Sequence, residues 1–508
     1  MMREVAVALK GVTKTFGSKV IANKDVTMDI YKGEILSLLG ENGSGKTTLM
    51  NMISGLYYPD AGQIFIHGKE VVIKSPRDAF ELGIGMVHQH FKLIDVLTAA
   101  ENIAIGLEGK LDIKKAKAEI QEICDKYGFD IDPDKKIYNM SVSEKQTVEI
   151  VKVLYRGAEI LILDEPTAVL TPQETEKLFN VMRNMKADGK TIIIITHKLH
   201  EVKAISDRVA ILRKGEYIDS IITEESDEQL MTDMMVGRSV QLNIDRKEPK
   251  NVEPRITVNN ISVKDRDGIY KLKNVSFTAN SGEVLGIAGI SGCGQKELLE
   301  AIAGLQKIES GSILFSDKEK EAVELVGKDP RTITDMGIVL SFVPEDRLGM
   351  GLVGNMDLVD NMMLRSFRKG KSRFFTDRKK PRKLAEKIVD KLEVATSGVD
   401  VPVRRLSGGN VQKVLVGREI SSSPSVLMTA YAVRGLDINS SYTIYDLINK
   451  QKEKGTAVIF VGEDLDVLLE LSDRILVLCG GEVSGIVDGR TTDKNTVGLM
   501  MTKKGGKE

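Results

Sequence analysis

The chain has 508 residues, with 72 basic and 73 acidic side chains and a formal net charge of −1. This length suffices for two to four domains, and the balanced charge gives no electrostatic case for binding nucleic acid or an anionic membrane surface. Three widely spaced cysteines, Cys124, Cys293 and Cys479, suggest neither a disulfide framework nor a metal cluster and favour a reducing compartment. The N-terminus lacks the apolar core of a signal peptide, and no run reaches about 18 apolar residues, the length of a membrane helix, so we predict no transmembrane segment.

Short apolar, β-branched runs bounded by turn signals predict strands in the first half, at 35–40, 160–164 and 191–196. They alternate with helical stretches, a pattern typical of a mainly parallel α/β sheet. Between 98 and 156 the periodicity becomes helical, and Thr98 and Glu101 have the spacing of a capping box. We therefore predict a helical subdomain inserted into an α/β core.

A candidate phosphate loop lies between Gly40 and Thr47, where GENGSGKT fits the pattern G-x-x-x-x-G-K-[ST] after a predicted strand. Glycines let backbone N–H groups approach phosphate oxygens, and the following helix N-terminus adds partial positive charge. Lys46 would reach the β- and γ-phosphates, and Thr47 would bind Mg²⁺. The alternative is a glycine turn before a structural helix, which a Lys and a Thr both in register disfavour.

Two carboxylates, Asp164 and Glu165, follow the predicted strand 160–164, at the sheet edge where ligands of open α/β sheets bind. Asp164 would hold the Mg²⁺ shell, and Glu165 would polarise the attacking water. His197, after the next strand, would bond the γ-phosphate and orient that water. By itself the Asp-Glu pair is typical of a solvated loop and the histidine of a structural residue, but together with the phosphate loop they indicate nucleotide hydrolysis.

An internal repeat organises the chain. KGEILSLLG at 32–40 matches SGEVLGIAG at 281–289, and SDRVAILRKGE at 206–216 matches SDRILVLCGGE at 472–482. Matches that keep their order indicate a duplication. The segment 242–254 is charged, aperiodic and carries two prolines, which predicts a linker. The predicted domains are 1–241 and 255–508.

The segment LSGGNVQK at 406–413 resembles the signature of the ATP-binding-cassette ATPases, and both halves resemble that family over the whole chain. The resemblance implies an α/β protein with two tandem P-loop NTPase domains. Each domain would have a mainly parallel sheet core, an antiparallel β subdomain and an inserted helical subdomain. In that family two cassettes pack head to tail, with ATP and Mg²⁺ between the phosphate loop of one and the signature of the other.

The same resemblance implies further residue roles. Phe16 would stack on adenine, Gln89 would bind Mg²⁺ and couple hydrolysis to transport, and His197 would be the switch histidine. Glu165, His197 and Gln89 are thus the expected catalytic residues, and Thr47, Gln89 and Asp164 the expected Mg²⁺ ligands. The residues expected to contact ATP are Phe16, Gly40, Glu41, Asn42, Gly43, Ser44, Gly45, Lys46, Thr47, Thr48, Ser407, Gly408 and Gly409.

Two fused cassettes with DEPTAVLTPQE at 164–174 and PEDR at 344–347 resemble the ATPases of bacterial simple-sugar importers, and GMVHQHFKL at 85–93 is similar to the branch associated with nucleoside uptake. This implies two membrane permease subunits and an extracytoplasmic solute-binding lipoprotein as partners, a place on the cytoplasmic face of the membrane, and no nucleic acid. The alternative solute is a sugar such as ribose or galactose. A soluble tandem-cassette translation factor is a remote alternative, disfavoured by the short linker. The sequence shows no fused membrane domain, which argues against an exporter. It shows no zinc-type cysteine spacing, which argues against a DNA-repair ATPase.

The second half keeps the glycines of the phosphate loop and loses its chemistry. Gly289, Gly292 and Gly294 retain a cradle in which phosphate would bind weakly. The repeat maps the catalytic positions of the first half onto residues of other chemistry: Lys46 onto Gln295, Thr47 onto Lys296, Asp164 onto Ala430, Glu165 onto Tyr431, Gln89 onto about Glu345, His197 onto Glu463, and Phe16 near Asp265. We therefore expect the second site to be degenerate.

The signatures differ in the complementary way. MSVSEKQ at 140–146 has Ser143 and Glu144 in place of the expected Gly-Gly or Gly-Met, whereas the second half keeps Ser407, Gly408 and Gly409. Head-to-tail packing then predicts one intact site, made of the first phosphate loop and the second signature. Neutral drift at surface positions is the alternative.

The loop from Gln89 to Glu101 is expected to transmit motion to a permease. Its apolar residues would pack either on the permease or inside the domain, and they are Phe91, Leu93, Ile94, Val96 and Leu97.

Overall fold

A computed structural model describes most of the chain, in two compact units at residues 1–241 and 242–508. Glu345 and Glu463 lie outside the described residues. The residues described are 3–17, 20–89, 91–106, 112–168, 170–237, 244–265, 267–290, 292–317, 321–342, 351–364, 377–421, 424–433, 436–462 and 464–502.

The described part of the first unit begins with strands and continues with alternating helices and strands. Its elements are β1 (Val5–Phe16), β2 (Val20–Tyr31), β3 (Ile35–Leu39), α1 (Lys46–Ile53), β4 (Ala61–Ile66), β5 (Lys69–Val71), α2 (Pro76–Glu81), β6 (Ile84–Val87), α3 (Ala99–Ala104), α4 (Ile113–Tyr127), α5 (Val142–Tyr155), β7 (Ile160–Asp164), α6 (Pro172–Ala187), β8 (Thr191–Thr196), α7 (Leu199–Ile205), β9 (Arg208–Arg213), β10 (Glu216–Ile222) and α8 (Glu228–Val236).

The second unit repeats this order. Its elements are β11 (Pro254–Lys264), β12 (Tyr270–Asn280), β13 (Val284–Ala288), α9 (Gln295–Ile302), β14 (Ile308–Phe315), β15 (Val323–Glu324), α10 (Pro330–Asp335), β16 (Ile338–Phe342), α11 (Leu358–Met363), α12 (Lys379–Lys391), α13 (Gly408–Ile420), β17 (Val426–Ala430), α14 (Ile438–Glu453), β18 (Ala457–Val461), α15 (Leu465–Leu471), β19 (Arg474–Cys479), β20 (Glu482–Asp488) and α16 (Lys494–Thr502).

The main sheet of the first unit has the strand order β10-β9-β3-β8-β7-β6. Neighbouring strands from β9 to β6 pair in parallel, and only β10 is antiparallel. Every residue of β3, β7 and β8 is buried, because helices cover both faces and such strands must be apolar throughout. The three predicted strands and the parallel α/β sheet are confirmed.

A four-stranded antiparallel sheet, β2-β1-β4-β5, forms a second layer of the first unit. Helices α3, α4 and α5 share a small apolar core of their own and form the predicted helical insertion. Thr98 and Glu101 close the predicted capping box at the start of α3. No helix among the described residues is long and apolar enough to cross a bilayer.

The second unit has the same two sheets, in the orders β12-β11-β14-β15 and β16-β17-β18-β13-β19-β20. The segment predicted as a linker lies against this unit along its described part. Ile244 is buried in the core of the unit, and Arg246 donates to the Leu469 carbonyl at 2.9 Å. Lys452, itself buried, donates to the Lys247 carbonyl at 2.6 Å. Side chains of the second unit therefore hold this segment in place.

One buried hydroxyl differs between the units. In the first, Ser37 and Ser206 place their hydroxyl oxygens 2.5 Å apart. In the second, Gly286 occupies the position of Ser37, and the fully buried Ser472 hydroxyl has no hydrogen-bond partner among the described residues. A buried hydroxyl without a partner costs free energy of folding.

We therefore expect opposite responses to the same substitution. Ser206→Ala leaves the Ser37 hydroxyl buried alone and should lower local stability by about 1–3 kcal/mol. Ser472→Ala removes an unsatisfied group and should leave stability unchanged or raise it. Hydrogen exchange of the β3 and β13 amides in the full chain measures each unit separately. Faster exchange of β13 in Ser472→Ala would show that its hydroxyl is satisfied.

Candidate active site

The site lies at the carboxyl edge of the main sheet in the first unit. Because β3, β6, β7 and β8 run parallel, their last residues reach the same edge. The glycine loop follows β3, Gln89 follows β6, Asp164 ends β7, and His197 directly follows β8. Four segments distant in sequence thus supply one site.

The loop from Gly40 to Gly45 accepts only glycine at its contact points. Gly43 and Gly45 have φ angles of +81° and +97°, in the left-handed region. A Cβ atom on Gly45 would lie 2.3 Å from the Ala22 carbonyl oxygen, and one on Gly40 would lie 2.3 Å from that of Leu212. The loop is therefore wedged against β2 and β9, and it leads directly into α1.

Lys46 is buried and bound to its own loop. Its Nζ donates to the Gly40 carbonyl at 2.7 Å and to the Glu41 carbonyl at 2.9 Å. Burial lowers the pKa of the ammonium group to about 8, although Glu165 and Asp164 partly oppose the shift. An anion at this site would both restore that pKa and draw the ammonium away from the carbonyls.

The residues present fit a bound phosphate with Mg²⁺. The buried Ser44 hydroxyl has no hydrogen-bond partner among the described residues, as expected of a group that waits for a ligand. Thr47 Oγ1 lies 3.5 Å from Asp164 Oδ1, a hydroxyl and a carboxylate of the oxygen type that Mg²⁺ prefers. No cluster of three metal-binding His, Cys, Asp or Glu side chains occurs in the described part of the chain.

Asp164 and Glu165 are adjacent carboxylates with opposite pKa shifts. Burial, reinforced by the Glu165 charge, raises the pKa of Asp164 to about 6. Burial also acts to raise the pKa of Glu165, but the hydrogen bond and charge of His197, with Lys46 and Lys198 nearby, hold it below its ordinary value. Glu165 therefore loses its proton at a lower pH than Asp164 does.

Glu165 is the centre of the site. Its Oε2 accepts a hydrogen bond from Gln89 Nε2 at 2.7 Å, and its Oε1 lies 3.0 Å from His197 Nδ1. Its φ of +47° is a strained value for a residue with a side chain, and its N–H donates to the Ile195 carbonyl at 2.9 Å. The structure thus brings together the three residues that the sequence predicts as catalytic.

Phe16 ends β1 at the rim of the antiparallel sheet, with 39% of its surface exposed. The Tyr57 ring meets it edge-on at a centroid distance of 5.2 Å, and Lys14 Nζ lies 5.7 Å from the Phe16 ring centre. Tyr57 and Lys14 therefore hold the Phe16 ring in place, and the exposed part of that ring is available for stacking.

Sequence reasoning did not identify the buried polar residues that bond to the glycine loop or lie just after the carboxylate pair. The fully buried Asn23 donates to the Gly45 carbonyl at 3.2 Å. Thr167 donates to the buried Glu201 at 2.6 Å, and Lys198 pairs with the same carboxylate at 3.1 Å. Asn23 and Glu201 belong to no motif, so no signal in the sequence alone would have found them.

In the second unit Gln295 takes the structural part of the role of Lys46. It opens α9 as Lys46 opens α1, after Gly294 with φ +101°. It is buried, and its Nε2 donates to the Ile290 carbonyl at 3.1 Å, the position equivalent to Glu41. A neutral amide thus holds the loop backbone but brings no charge to a phosphate.

The turn after β17 has the same backbone conformation as the turn after β7, but it lacks the two carboxylates. Tyr431, at the position of Glu165, has φ +57°, and its N–H donates to the Val461 carbonyl at 3.2 Å. The buried Ala430 takes the place of Asp164. Asp265, near the position of Phe16, instead accepts backbone N–H bonds within its own turn.

The signatures align through their helix caps. Ser407 is the N-cap of α13 and Ser141 the N-cap of α5, so Ser141 is the counterpart of Ser407. Val142 and Ser143 therefore replace Gly408 and Gly409. The prediction that Ser143 and Glu144 stand in the place of the two glycines is wrong by one residue. The repeat that maps Asp164 onto Ala430 also maps Ser141 onto Ser407, and the helix caps agree with that register.

The two caps also differ in what they leave open. Glu144 turns back on its own helix, where its carboxylate accepts from the Ser141 N–H at 2.7 Å and from Lys135 at 2.6 Å. A Cβ atom on Gly409 would meet nothing within 4 Å, and Ser407 is exposed. The N-terminus of α13 is thus open, whereas that of α5 already holds a carboxylate.

Comparison with known proteins identifies the family. The profile described as ABC transporter matches residues 23–168 and 272–429. The chain is 41% identical to the nucleoside import ATP-binding protein NupA of Lactococcus lactis and 39% identical to the guanosine import ATP-binding protein NupO of Bacillus subtilis, in each case over 99% of both chains. It is 40% identical to the glucose import ATP-binding protein TsgD13 of Haloferax volcanii, over 99% of this chain and 97% of that protein.

The family profile matches both halves, and the relatives match nearly the whole length of the chain. The glycine loop, the carboxylate pair and the signature helix all lie within the matched regions, which agrees with the site described above. The chain therefore belongs to the ABC transporter family, as an ATPase of that family.

Proposed function

We propose that this chain is the ATP-hydrolysing subunit of an importer that takes up nucleosides. The observation that carries the ATPase part is the convergence of Gln89 and His197 on Glu165, beside the glycine loop and Asp164. The solute class rests on the identity of 41% to a nucleoside import ATP-binding protein over nearly the whole chain.

ATP would bind with its phosphates on the backbone N–H groups of the glycine loop and the N-terminus of α1. Lys46 would move from the loop carbonyls to the β- and γ-phosphates, and Phe16 would stack on adenine. Thr47, Asp164 and Gln89 would hold Mg²⁺, which supplies charge to the phosphates during hydrolysis.

Glu165 would act as the general base, since its carboxylate is ionised and hydrogen-bonded at both oxygens. It would accept a proton from the water that attacks the γ-phosphorus. His197 holds the carboxylate from the other side and would bond the γ-phosphate.

Only the first phosphate loop would support hydrolysis. Its counterpart has Gln295, Ala430 and Tyr431 in place of the charged residues, while the open signature at Ser407 lies in the second half. We propose that this signature completes the ATP site of the first half, with domains at 1–241 and 255–508 joined by 242–254.

The partners would be two permease subunits and an extracytoplasmic solute-binding lipoprotein, with this chain on the cytoplasmic face of the membrane. The loop from Gln89 to Glu101, here called the coupling loop, contains two residues that support a docking role, because Ile94 and Val96 are 45% and 68% exposed. The other apolar residues of the loop, Phe91, Leu93 and Leu97, are half-buried.

A simple sugar is the alternative solute, favoured by the identity of 40% to a glucose import ATP-binding protein. Uptake of radiolabelled guanosine and of radiolabelled glucose and ribose, in cells that express the chain with its co-purifying membrane subunits, separates the two. We expect guanosine uptake that depends on Lys46. Uptake of a sugar alone would overturn the nucleoside assignment and leave the ATPase assignment intact.

Glu165→Gln should bind ATP and fail to hydrolyse it, because the amide cannot accept the proton of the attacking water. The loss of rate should be about 10²–10³ or more. Single-turnover hydrolysis in the assembled complex, with nucleotide binding measured in parallel, checks this. Asp188→Asn is a suitable control, since Asp188 lies on the surface at the end of α6. Normal turnover by Glu165→Gln would exclude it as the base.

The matched pair Gly409→Asp and Ser143→Asp tests the one-site proposal, because the two residues occupy equivalent helix positions. Space around Gly409 accommodates a side chain within its own unit, so loss of activity there would reflect charge repulsion at the γ-phosphate rather than misfolding. We expect Gly409→Asp to abolish ATP hydrolysis and Ser143→Asp to reduce it little. Equal losses would contradict a single hydrolytic site.

A further inference from the structure

A buried asparagine closes the coupling loop of the first unit. Asn102, 1% exposed, accepts a hydrogen bond from the Ile94 N–H at 2.7 Å. Its amide nitrogen donates to the Ile94 carbonyl at 3.1 Å and to the Thr98 carbonyl at 3.0 Å. One side chain therefore binds both ends of the five-residue turn 94–98, and a further bond from the Leu97 N–H to the Ile94 carbonyl closes it.

The backbone just before this turn is bonded to α5, the helix that begins within the first signature. Glu149 accepts from the Lys92 N–H at 2.6 Å, and Lys152 donates to the Lys92 carbonyl at 3.3 Å. The exposed Ile94 and Val96 thus project from backbone that is held at both sides. Apolar side chains on a fixed backbone lose little entropy when a partner covers them.

The second unit contains the same device. Asn361, fully buried, accepts from the Val353 N–H at 2.8 Å and donates to the carbonyls of Val353 and Asp357 at 3.1 and 2.9 Å. The Met356 N–H donates to the Val353 carbonyl as Leu97 does to Ile94. The spacing is identical, with residues 353, 357 and 361 in place of 94, 98 and 102.

The tie to the signature helix is present here as well. Arg418 of α13 donates to the Gly351 carbonyl at 3.0 Å, as Lys152 does to that of Lys92. The loop again presents two apolar side chains, Val353 and Met356, which are 41% and 38% exposed. Their identities differ from those of the first loop, but the backbone and its clamp are the same.

Comparison of the two halves shows that the asparagine-bound turn is present even where the residues of hydrolysis are missing. The second half has Gln295 and Tyr431 at the positions of Lys46 and Glu165, yet it keeps the clamp, the turn and the tie to the signature helix. A loop that served only the adjacent hydrolytic residues would have nothing to position in the second half. A loop that met a partner would be needed in both.

We propose that Asn102 and Asn361 are positioning residues, each of which holds a preformed apolar docking loop for a membrane subunit of the transporter. The occupant of each loop is an apolar surface of a permease subunit, and the second loop contributes to transport although its own half does not hydrolyse ATP. This inference rests on the proposed function, since it requires a permease partner.

The test replaces each asparagine with leucine, which has a similar size and cannot bond the loop backbone. Gln451→Leu is the matched control, because Gln451 is also buried in the second unit and donates to a backbone carbonyl, that of Ile420, away from the loop. The readouts are solute uptake, co-purification with the membrane subunits, ATP binding by the isolated chain, and hydrogen exchange of the loop amides.

We expect Asn102→Leu and Asn361→Leu each to expose their loop amides to exchange and to lower co-purification and uptake by about tenfold, since the loop backbone must then be ordered on docking. ATP binding should stay at the level of Gln451→Leu. Normal uptake by Asn361→Leu would overturn the role of the second loop, and equal loss of ATP binding and uptake would reduce both residues to a structural role. Absence of uptake by the unmodified chain would instead refute the proposed function.

Discussion

The parallel pairing of β3, β8 and β7 is the constraint on which the rest of the structure depends. It brings the ends of three buried strands to one edge, so that a lysine, an aspartate, a glutamate and a histidine from distant parts of the chain meet there. The last rung of this ladder, from the Glu165 N–H to the Ile195 carbonyl, also sets the strained turn that carries the candidate base. Precise placement therefore comes from the sheet, and the loops contribute the reactive groups.

The second unit acts as an internal control for this view. Tyr431 keeps a left-handed φ and the same rung to β18, although no carboxylate remains to be aimed. The left-handed turn therefore persists at this sheet edge where no carboxylate is present. Gln295 gives a parallel case, because its neutral amide still bonds the loop carbonyl that the lysine bonds in the first unit.

Burial and nearby charges shift the pKa values of the adjacent carboxylates Asp164 and Glu165 in opposite directions. Asp164 is raised in pKa by burial and by its neighbour, which suits a group that is to be neutralised by a metal ion. Glu165 is held ionised by His197 and the nearby cations, which suits a proton acceptor. The same low-dielectric surroundings lower the pKa of Lys46, so an anion in the loop would interact strongly with the Lys46 ammonium group.

The sequence by itself determined the duplication, the parallel α/β cores, and which half keeps the residues of hydrolysis. These features follow from local rules, since apolar runs mark buried strands and a glycine loop needs its residues at fixed spacing. Only the tertiary structure decided that Gln89 and His197 meet at Glu165, that Asn23 supports the glycine loop, and that segment 244–253 packs on the second unit. Such contacts depend on sheet pairing, helix caps and burial between residues far apart in the chain, and no local pattern encodes them.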